Sequence, residues 1–262
     1  MSSISAVLIL KNEEQNIADC LQTLDWVDEI VVLDSGSTDN TLEIAKSFGA
    51  KVFVREDWEG FGEQRRRAQE LASCDWIFMI DADERVTPEL KQSIQKLIQG
   101  EPAIAAIARL SWCFGDYIRY SGWYPKRVSR VYPRQLAHYN DSLVHEKLLN
   151  PNNLPVTNIL GDLLHYTYDN VHQYLVKSAY YASLWADARQ QRGKKASLGA
   201  ALGHGIWRFI RMYILKLGFL DGRQGLLLAL LSGHYTFVKY ADLWVRQQAP
   251  NPARKDSPTK TT

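Results

Sequence analysis

The chain has 262 residues, of which 46% are hydrophobic and 23% charged, and its formal net charge at pH 7 is +2. This composition is typical of a soluble protein with a folded core, and the small net charge gives no global argument for nucleic-acid binding. The three cysteines are widely spaced and match neither a disulfide framework nor a zinc motif, so we expect reduced thiols in the cytoplasm. No apolar stretch reaches the ~18 residues of a spanning helix, and no signal peptide is evident.

Strand and helix patterns alternate through the first hundred residues. Short apolar runs suited to buried parallel strands lie at residues 4–10, 29–33, 51–54 and 76–80. Helical spacing predicts helices over residues 12–24, 41–48, 62–72 and 88–98, the last of which begins at a proline. Alternation of this kind predicts an α/β fold, with a mostly parallel sheet flanked by helices.

The pattern changes in the second half. Residues 103–168 contain short strand-like pieces at 103–110, 128–132 and 160–166, which we expect to complete the sheet and shape the acceptor side. Three helical stretches follow at 170–192, 198–217 and 222–246, and residues 249–262 are rich in Pro, Lys, Ser and Thr. We therefore predict a catalytic domain over residues 1–168, a helical extension over 169–248 and a disordered tail over 249–262.

Acidic and small polar residues follow three of the predicted strands. The segments are Lys11-Asn12-Glu13, Asp34-Ser35-Gly36 and Asp81-Ala82-Asp83. In open α/β sheets, ligands bind beyond the carboxyl ends of the strands. The sequence therefore predicts a binding site where these three segments converge.

Asp81 and Asp83 have the chemistry of a divalent-metal site. Two carboxylates at positions i and i+2 after a buried strand can flank one ion, and Mg²⁺ or Mn²⁺ prefers such oxygen ligands. An ion there would offset the charge that develops on a leaving phosphate. The alternative is that both aspartates only cap the following loop. Asp34 could accept the N3–H of a pyrimidine, whereas Asp39 is better placed to cap the next helix.

Four segments give the chain a family resemblance. They are SAVLILKNEE at residues 5–14, DSGSTDNT at 34–41, GFGEQR at 60–65 and DWIFMIDADE at 75–84. Together they resemble the family 2 glycosyltransferases of the GT-A fold. Within that family the chain looks most like the bacterial lipopolysaccharide inner-core glucosyltransferases, and the segment FLDGRQG at 219–225 is also similar to that group.

The resemblance implies roles for five residues. Glu13 and Asp34 would hold the nucleoside, Asp83 the metal on the diphosphate, and Asp81 would face the ribose and the metal. Arg65 would lie near the donor. It is the first of three consecutive arginines, and since successive helical residues turn by ~100°, we expect at least one of the three to be a surface charge.

Family 2 membership implies inversion, and an inverting transferase needs a base for the attacking hydroxyl. We assign this role to Glu146 in a His-Glu segment similar to that of the lipopolysaccharide transferases, with His145 as a neighbour of the metal or phosphate. The alternatives are that Glu146 pairs with Lys147 or Arg134 at the surface, or that Asp141 or Asp116 is the base.

Three more candidates have two interpretations each. Arg127 and Arg130 either bind phosphate on the donor or acceptor or are surface charges. His165 ends a strand-like run, where a structural histidine is the favoured interpretation and a late metal ligand the alternative.

The C-terminal part combines positive charge with aromatic residues. Between residues 188 and 220 there is no Asp or Glu, while seven positions are Lys or Arg. On a helical wheel, residues 206–220 give one broad apolar arc and a basic arc, which suits the surface of an anionic membrane. The alternative is a helix packed on its own domain.

These observations together predict a metal-dependent hexosyltransferase. We expect it to move a hexose, glucose from UDP-glucose, onto a lipopolysaccharide inner-core or other lipid-linked saccharide at the cytoplasmic face of the inner membrane. No nucleic-acid partner is expected. The alternatives are transfer to polyprenyl phosphate or another membrane glycan, and a non-catalytic module that binds sugar nucleotides.

Overall fold

The computed structural model describes residues 2–140 and 146–248, and the predicted tail at 249–262 lies outside them. The strands in these ranges are β1 Ile4–Leu10, β2 Glu29–Asp34, β3 Lys51–Val54, β4 Trp76–Met79, β5 Glu84–Val86, β6 Ile104–Cys113, β7 Asp116–Ile118, β8 Lys126–Pro133, β9 His138–Tyr139, β10 Leu148–Leu149 and β11 Val156–Tyr168. The α-helices are α1 Ile17–Gln22, α2 Thr41–Ser47, α3 Phe61–Glu70, α4 Pro88–Leu97, α5 Val171–Gln191, α6 Leu198–Ile210 and α7 Gly222–Val245. A π-helical turn, Arg211–Leu215, and a 3₁₀ turn, Gly218–Asp221, connect α6 to α7.

The chain divides into two compact units. The first comprises Met1–Trp112 and Trp123–Thr167, and the second comprises Cys113–Gly122 and the chain from Tyr168 onward. The segment Cys113–Gly122 therefore groups with the C-terminal helices, which no pattern in the sequence indicates. The predicted domain limits at 168 and 248 remain predictions.

A mixed sheet forms the centre of the first unit. Its strand order is β3-β2-β1-β4-β8-β6-β11-β5. β3, β2, β1 and β4 run parallel, whereas β4–β8, β8–β6 and β11–β5 are antiparallel pairs. Two parallel neighbouring strands need a crossover connection between them, usually a helix. In this chain helices alternate with strands only as far as α4, and β6 to β11 follow one another without an intervening helix. The α/β fold expected from the sequence is confirmed, with its parallel part confined to the N-terminal half.

Helices cover both faces of the parallel strands. Along β1 successive side chains alternate between two cores: Leu8 packs in a cluster with Leu21 of α1, and Val7 in a cluster with Ala68 of α3. Both Leu8 and Val7 are fully buried. A strand buried on both faces has no polar side, which is why β1 appears in the sequence as a continuous apolar run.

In the second unit, α6 buries small residues and exposes large ones, whereas α7 also buries Leu228 and Leu243. α6 buries Ala201 and Gly205, while Ile206 and Trp207 on the same helix are 60% and 54% exposed. The segment similar to the lipopolysaccharide enzymes is tightly packed here, since a Cβ on Gly225 would stand 1.9 Å from the carbonyl oxygen of Gly218. Among the described residues, the helices are too short or too polar to span a membrane.

Asp221 organises the start of α7. Its carboxylate accepts hydrogen bonds from the backbone N–H groups of Arg119 and Tyr120, at 2.9 and 3.0 Å, and from the Ser121 hydroxyl at 2.9 Å. One carboxylate thus satisfies three donors of the segment Cys113–Gly122. A carboxylate that accepts several hydrogen bonds contributes more to stability than an ordinary surface charge.

We expect Asp221→Ala to lower the free energy of unfolding by about 1–2 kcal/mol, because three donors lose an ionised acceptor. Asp169→Ala is the control, since Asp169 is exposed and its carboxylate receives one long bond, 3.4 Å from Gln173. Urea titration of both variants measures the effect. Equal midpoints for the two variants would show that Asp221 has no special structural role.

Candidate active site

The loops that follow β1 and β2 are hydrogen-bonded to each other. Asn12 adopts a positive φ of 56°, its N–H donates to the Ser37 hydroxyl at 2.8 Å, and its side-chain oxygen accepts from the Thr38 N–H at 2.8 Å. The Glu13 N–H donates to the Thr41 hydroxyl at 2.7 Å. The predicted helix over 12–24 therefore begins only at Ile17, because the preceding residues form this turn. Two of the three predicted polar segments lie side by side.

Asp81 follows β4 and is held by two arginines. Arg65 Nη2 of α3 donates to Asp81 Oδ1 at 2.7 Å, and Arg130 Nη2 of β8 donates to Asp81 Oδ2 at 2.5 Å. Both guanidinium groups are almost fully buried. Arg130 is therefore not a surface charge, which was one of its two predicted interpretations.

The charges of this cluster depend on one another. Burial alone would raise the pKa of Asp81, but Arg130 and Arg65 outweigh it and hold that pKa well below its ordinary range. Glu84, which is fully buried three residues later, has a raised pKa because burial and the charge of Asp81 outweigh Arg130. Its carboxylate accepts the Asp81 N–H at 3.0 Å. Asp81 thus already has two cationic partners, which favour its ionised form.

Asp83 has a different partner. Its side chain is 31% exposed, much like the 28% of Asp81, and its Oδ2 lies 3.2 Å from Nε2 of His165 on β11. The other ring nitrogen of His165 lies 2.8 Å from the Thr167 hydroxyl. The histidine that sequence reasoning interpreted as structural does have polar partners, but it also brings a ring nitrogen to the second aspartate.

Arg65 also contacts the predicted base. Its Nε donates to Glu146 Oε1 at 3.2 Å, so one guanidinium bridges Asp81 and Glu146. Its remaining nitrogen, Nη1, is buried and has no hydrogen-bond partner among the described residues. A buried donor without a partner is costly and marks a place where a ligand can supply an acceptor.

The other two arginines of α3 have different partners. Arg66 pairs with Glu63, and Arg67 contacts Glu63, Asp57 and Glu59. Only the first of the three consecutive arginines points at Asp81.

Glu13 and Asp34, the predicted nucleoside ligands, have contrasting environments. Burial raises the pKa of Glu13, and the negative charges of Asp83, Asp81 and Asp39 raise it further. Asp34 is fully buried, and its carboxylate accepts the N–H groups of Gly36 and Ser37, each at 2.8 Å, as well as the Ser37 hydroxyl. In this arrangement Asp34 shapes its own turn, and its contact with a base remains a prediction.

The remaining predicted residues lie apart or outside the described ranges. Arg127 is exposed on β8 and donates to the Ala106 carbonyl oxygen at 3.2 Å. The Nε of Arg134 donates to the Cys74 carbonyl oxygen at 2.8 Å, so this nitrogen is engaged away from Glu146. His145 and the alternative base Asp141 lie outside the described residues.

Arg85 is a structural residue of the site that sequence reasoning missed. Its guanidinium donates to the carbonyl oxygens of Ala82 at 2.7 Å, Glu84 at 2.9 Å and Asn16 at 2.9 Å. It therefore fixes the acidic loop to the start of α1. The sequence signal is only an arginine directly after the acidic cluster, which by itself cannot be told from a surface charge.

The oxygen and nitrogen atoms next to each other at Asp83 and His165 are suitable ligands for a divalent ion. A carboxylate oxygen and a ring nitrogen lie next to each other at a half-exposed position, and both are ordinary ligands of Mn²⁺. Within residues 2–140 and 146–248, no cluster of three His, Cys, Asp or Glu side chains could hold a metal by itself. An ion here would therefore need further ligands from outside this part of the chain, such as diphosphate oxygens or water.

Comparisons with known proteins identify the family of the chain. The sequence model of the family described as Glycosyl transferase family 2 matches residues 5–149. The chain is 29% identical over 250 residues to the lipopolysaccharide core biosynthesis glycosyltransferase LpsC of Rhizobium meliloti, covering 93% of this chain and 92% of LpsC. It is 27% identical to an uncharacterized glycosyltransferase of Rickettsia bellii, covering 98% of this chain and 92% of the relative. Among solved structures, glucosyl-3-phosphoglycerate synthase of Mycobacterium tuberculosis is 28% identical over 52% of this chain and 58% of its own, with a TM-score of 0.39.

The chain belongs to glycosyltransferase family 2, since the family region covers more than half of its length. The family resemblance and the GT-A fold class inferred from the sequence are thereby confirmed.

Proposed function

We propose that this glycosyltransferase is an inverting hexosyltransferase that moves glucose from UDP-glucose onto a lipopolysaccharide inner-core or other lipid-linked saccharide. The similarity to LpsC supports the acceptor class because it extends over nearly the whole of both chains, including the helical unit. The observation that carries the mechanism is the bridge through Arg65, which joins the donor-side Asp81 to the candidate base Glu146.

The chemistry follows from these contacts. Glu146 takes the proton from the attacking acceptor hydroxyl, and Arg65 holds its carboxylate in place. Arg65 Nη1 is buried and has no hydrogen-bond partner among the described residues, and a phosphate oxygen of the donor that reached it would satisfy this group. The paired Asp81 fixes both arginines, and Glu13 and Asp34 line the nucleoside side.

Asp83 and His165 would hold Mg²⁺ or Mn²⁺ on the donor diphosphate, with His145 as a further neighbour. When bound, the ion neutralises the charge that develops on the departing nucleotide. Asp83 is the better candidate of the two aspartates, since the Asp81 carboxylate is already occupied by Arg65 and Arg130. Arg127 and Arg130 have different roles in this proposal: Arg130 supports Asp81, while the exposed Arg127 is available for a phosphate of the acceptor.

The proposed activity is tested by release of UDP from UDP-glucose in the presence of purified lipopolysaccharide acceptor, with and without Mn²⁺. We expect turnover that requires the ion and is lost in Glu146→Gln, together with inverted configuration of the product. Nucleotide binding without turnover would contradict the proposal and favour a non-catalytic module. Turnover with polyprenyl phosphate but not with lipopolysaccharide would show that the proposed acceptor is wrong, while the proposed donor chemistry would stand.

We further propose that the second unit contacts an anionic membrane at the cytoplasmic face. The exposed arc of α6 and the following turns is apolar, and Arg211 and Lys216 lie exposed beside it. The exposed large residues of this arc are Leu202, Ile206, Trp207, Ile214, Leu215, Leu217, Phe219 and Leu220. Exposed apolar residues in such number, next to basic side chains, suit the boundary between lipid headgroups and acyl chains.

Membrane contact predicts a specific loss. We expect the double variant Ile206→Ser and Trp207→Ser to bind vesicles of phosphatidylglycerol about 10-fold more weakly than the wild type. The reason is that the variant lacks two apolar side chains whose transfer from water into the membrane interface would favour binding. Cosedimentation at low and high salt measures it, and binding should weaken with salt.

The matched control is Val156→Ser with Leu160→Ser on β11, which removes two apolar side chains that are 59% and 71% exposed. This control should bind vesicles as the wild type does. Equal binding by wild type and both double variants would contradict the membrane proposal.

A further inference from the structure

The three α-helices of the second unit each carry an aromatic ring and a basic residue four positions apart. The pairs are Trp185 and Arg189 on α5, His204 and Arg208 on α6, and Tyr235 and Lys239 on α7. Residues i and i+4 are neighbours on the surface of a helix, one turn apart. Each helix therefore presents one ring and one positive charge side by side.

Ring contacts bring these three helix faces together. The ring centroid of Tyr240, the neighbour of Lys239 in α7, lies 4.7 Å from that of Trp185 and 4.2 Å from that of His204. Lys239 Nζ lies 4.9 Å from the Trp185 centroid, and Arg189 Cζ lies 5.0 Å from the same centroid. One indole ring thus has two cations beside it, and the tyrosine next to them joins α7 to both other helices.

Arg208 belongs to the same group of charges. Burial lowers the pKa of Lys239, and the positive charges of Arg208 and Arg189 lower it further. Burial also lowers the pKa of Arg208, and the charge of Arg211 adds to this effect. Arg189, Arg208 and Lys239 are all half-buried, and we refer to these three residues as the cationic cluster. Its members oppose one another's charge.

The described residues provide no anionic partner for the cationic cluster. α5, α6 and α7 contain two acidic residues, Asp187 and Asp242, and Arg246 pairs with both. Within the part of the chain that the structure describes, the side chains of the cluster make no hydrogen bond and no ion pair. Guanidinium and ammonium groups only donate hydrogen bonds, so half-buried ones need an acceptor from water or from a ligand.

The composition of the cationic cluster suits a phosphate group. Two guanidinium forks match the geometry of phosphate oxygens, and the ammonium adds a third positive charge. A phosphomonoester carries about −1.5 to −2 charges at neutral pH, so it would offset most of the mutual repulsion. The rings of Trp185, Tyr235 and Tyr240 exclude water from one side of Lys239, and attraction between opposite charges is stronger where water is excluded.

We propose that Arg189, Arg208 and Lys239 bind a phosphate group. Such a group can belong to a lipid headgroup or to a soluble phosphorylated compound, and both offer the same oxygens to the cationic cluster. The inference goes beyond the proposed membrane contact, which depends on the exposed apolar arc of α6. It stands on contacts within the second unit and needs neither the proposed sugar donor nor the proposed acceptor.

The test is a titration of the full chain with inorganic phosphate at constant ionic strength, followed by the thermal midpoint of unfolding. A ligand that binds the folded state raises this midpoint. We expect phosphate to raise the midpoint of the wild type, and the double variant Arg208→Gln with Lys239→Gln to bind phosphate about 10-fold more weakly or worse, because charge-assisted hydrogen bonds are lost.

The matched control is Lys194→Gln with Lys195→Gln, which removes the same number of charges from two exposed positions of the same unit. Its phosphate affinity should equal that of the wild type. A wild type that does not respond to phosphate would overturn the inference. So would equal affinities of wild type and the Arg208/Lys239 variant, which would place the phosphate elsewhere, or equal losses in the two double variants, which would reduce the effect to net charge.

Vesicles distinguish the two sources of phosphate. The wild type is sedimented with vesicles of phosphatidylcholine and phosphatidic acid in equal parts, with and without inorganic phosphate at constant ionic strength. Competition between free phosphate and the vesicles, absent in the Arg208/Lys239 variant, assigns the cationic cluster to a lipid headgroup. A phosphate titration that succeeds without such competition assigns it to a soluble phosphorylated compound. Because the titration contains no membrane, its result does not depend on the proposed membrane contact.

Discussion

Asp83→Asn is expected to abolish most of the sugar transfer while leaving the fold intact. Its carboxylate lies beside the ring of His165, whereas the Asp81 carboxylate is paired with two arginines. Loss of an ionised metal ligand removes several kcal/mol of charge stabilisation, which corresponds to roughly a thousandfold loss in rate. Initial rates of UDP release at saturating Mn²⁺, together with the urea midpoint of the variant, measure both parts of the expectation.

Asp25→Asn is the control for Asp83→Asn. Asp25 is an exposed aspartate that pairs with Lys91 at 3.0 Å, so the variant removes one negative charge without touching the site. Its rate should match that of the wild type. An Asp83→Asn enzyme that keeps its rate and its response to Mn²⁺ would show that the ion, if any, binds elsewhere.

Asp81→Asn is expected to act mainly on stability. Two buried guanidinium groups share this carboxylate, and an amide would place an NH₂ against one of the two donors. Removing one partner from a buried ion-pair network typically costs about 3–5 kcal/mol because it leaves uncompensated charge. We expect a loss of that order in the free energy of unfolding, measured by urea denaturation at pH 7.

The two aspartates therefore make a matched pair. Asp83→Asn should unfold at nearly the urea concentration of the wild type, whereas Asp81→Asn should unfold much earlier. Equal urea midpoints for the two variants would mean that pairing Asp81 with the arginines contributes little to stability. Asp81 would then be a candidate ligand of the metal. A double variant, Asp81→Asn with Arg130→Gln, should recover part of the lost stability because one unpaired buried charge is gone.

Much of the first unit could be predicted from the sequence. β1 begins and ends where its apolar run does, since a strand buried on both faces needs a largely apolar segment. β3 also has its predicted bounds, although its side chains are mostly exposed. The acidic loop was identifiable because its charges follow directly on the buried apolar run of β4. The antiparallel half was harder to predict, because the partly exposed β8 and β11 give weaker patterns.

The partners of the acidic loop could not be predicted in this way. Arg130 lies 49 residues from Asp81 and reaches it only because β8 pairs antiparallel with β4. His165 faces the loop because β11 pairs with β5, where His165 is opposite Glu84. Register between distant strands is set by packing and turns, and single-residue patterns do not contain it. This is why Arg130 and His165 kept two interpretations each.

The helical unit shows another limit of sequence patterns. Periodicity identifies an apolar arc on residues 206–220, but it cannot tell whether that arc faces a core or the surroundings. In the structure, α6 packs through small residues such as Ala201 and Gly205. Several large apolar side chains of the arc are exposed, among them Ile206 and Trp207, while Phe209, Ile210 and Tyr213 are half-buried. Part of an arc that resembles a core face in the sequence is thus exposed, and this exposed part is the basis of the proposed membrane contact.

The most direct test of this account is the anomalous difference density of crystals grown with Mn²⁺ and UDP. The account predicts one manganese peak in contact with the Asp83 carboxylate and the diphosphate of the bound nucleotide. A nucleotide bound elsewhere, or a manganese ion that does not contact Asp83, would contradict it.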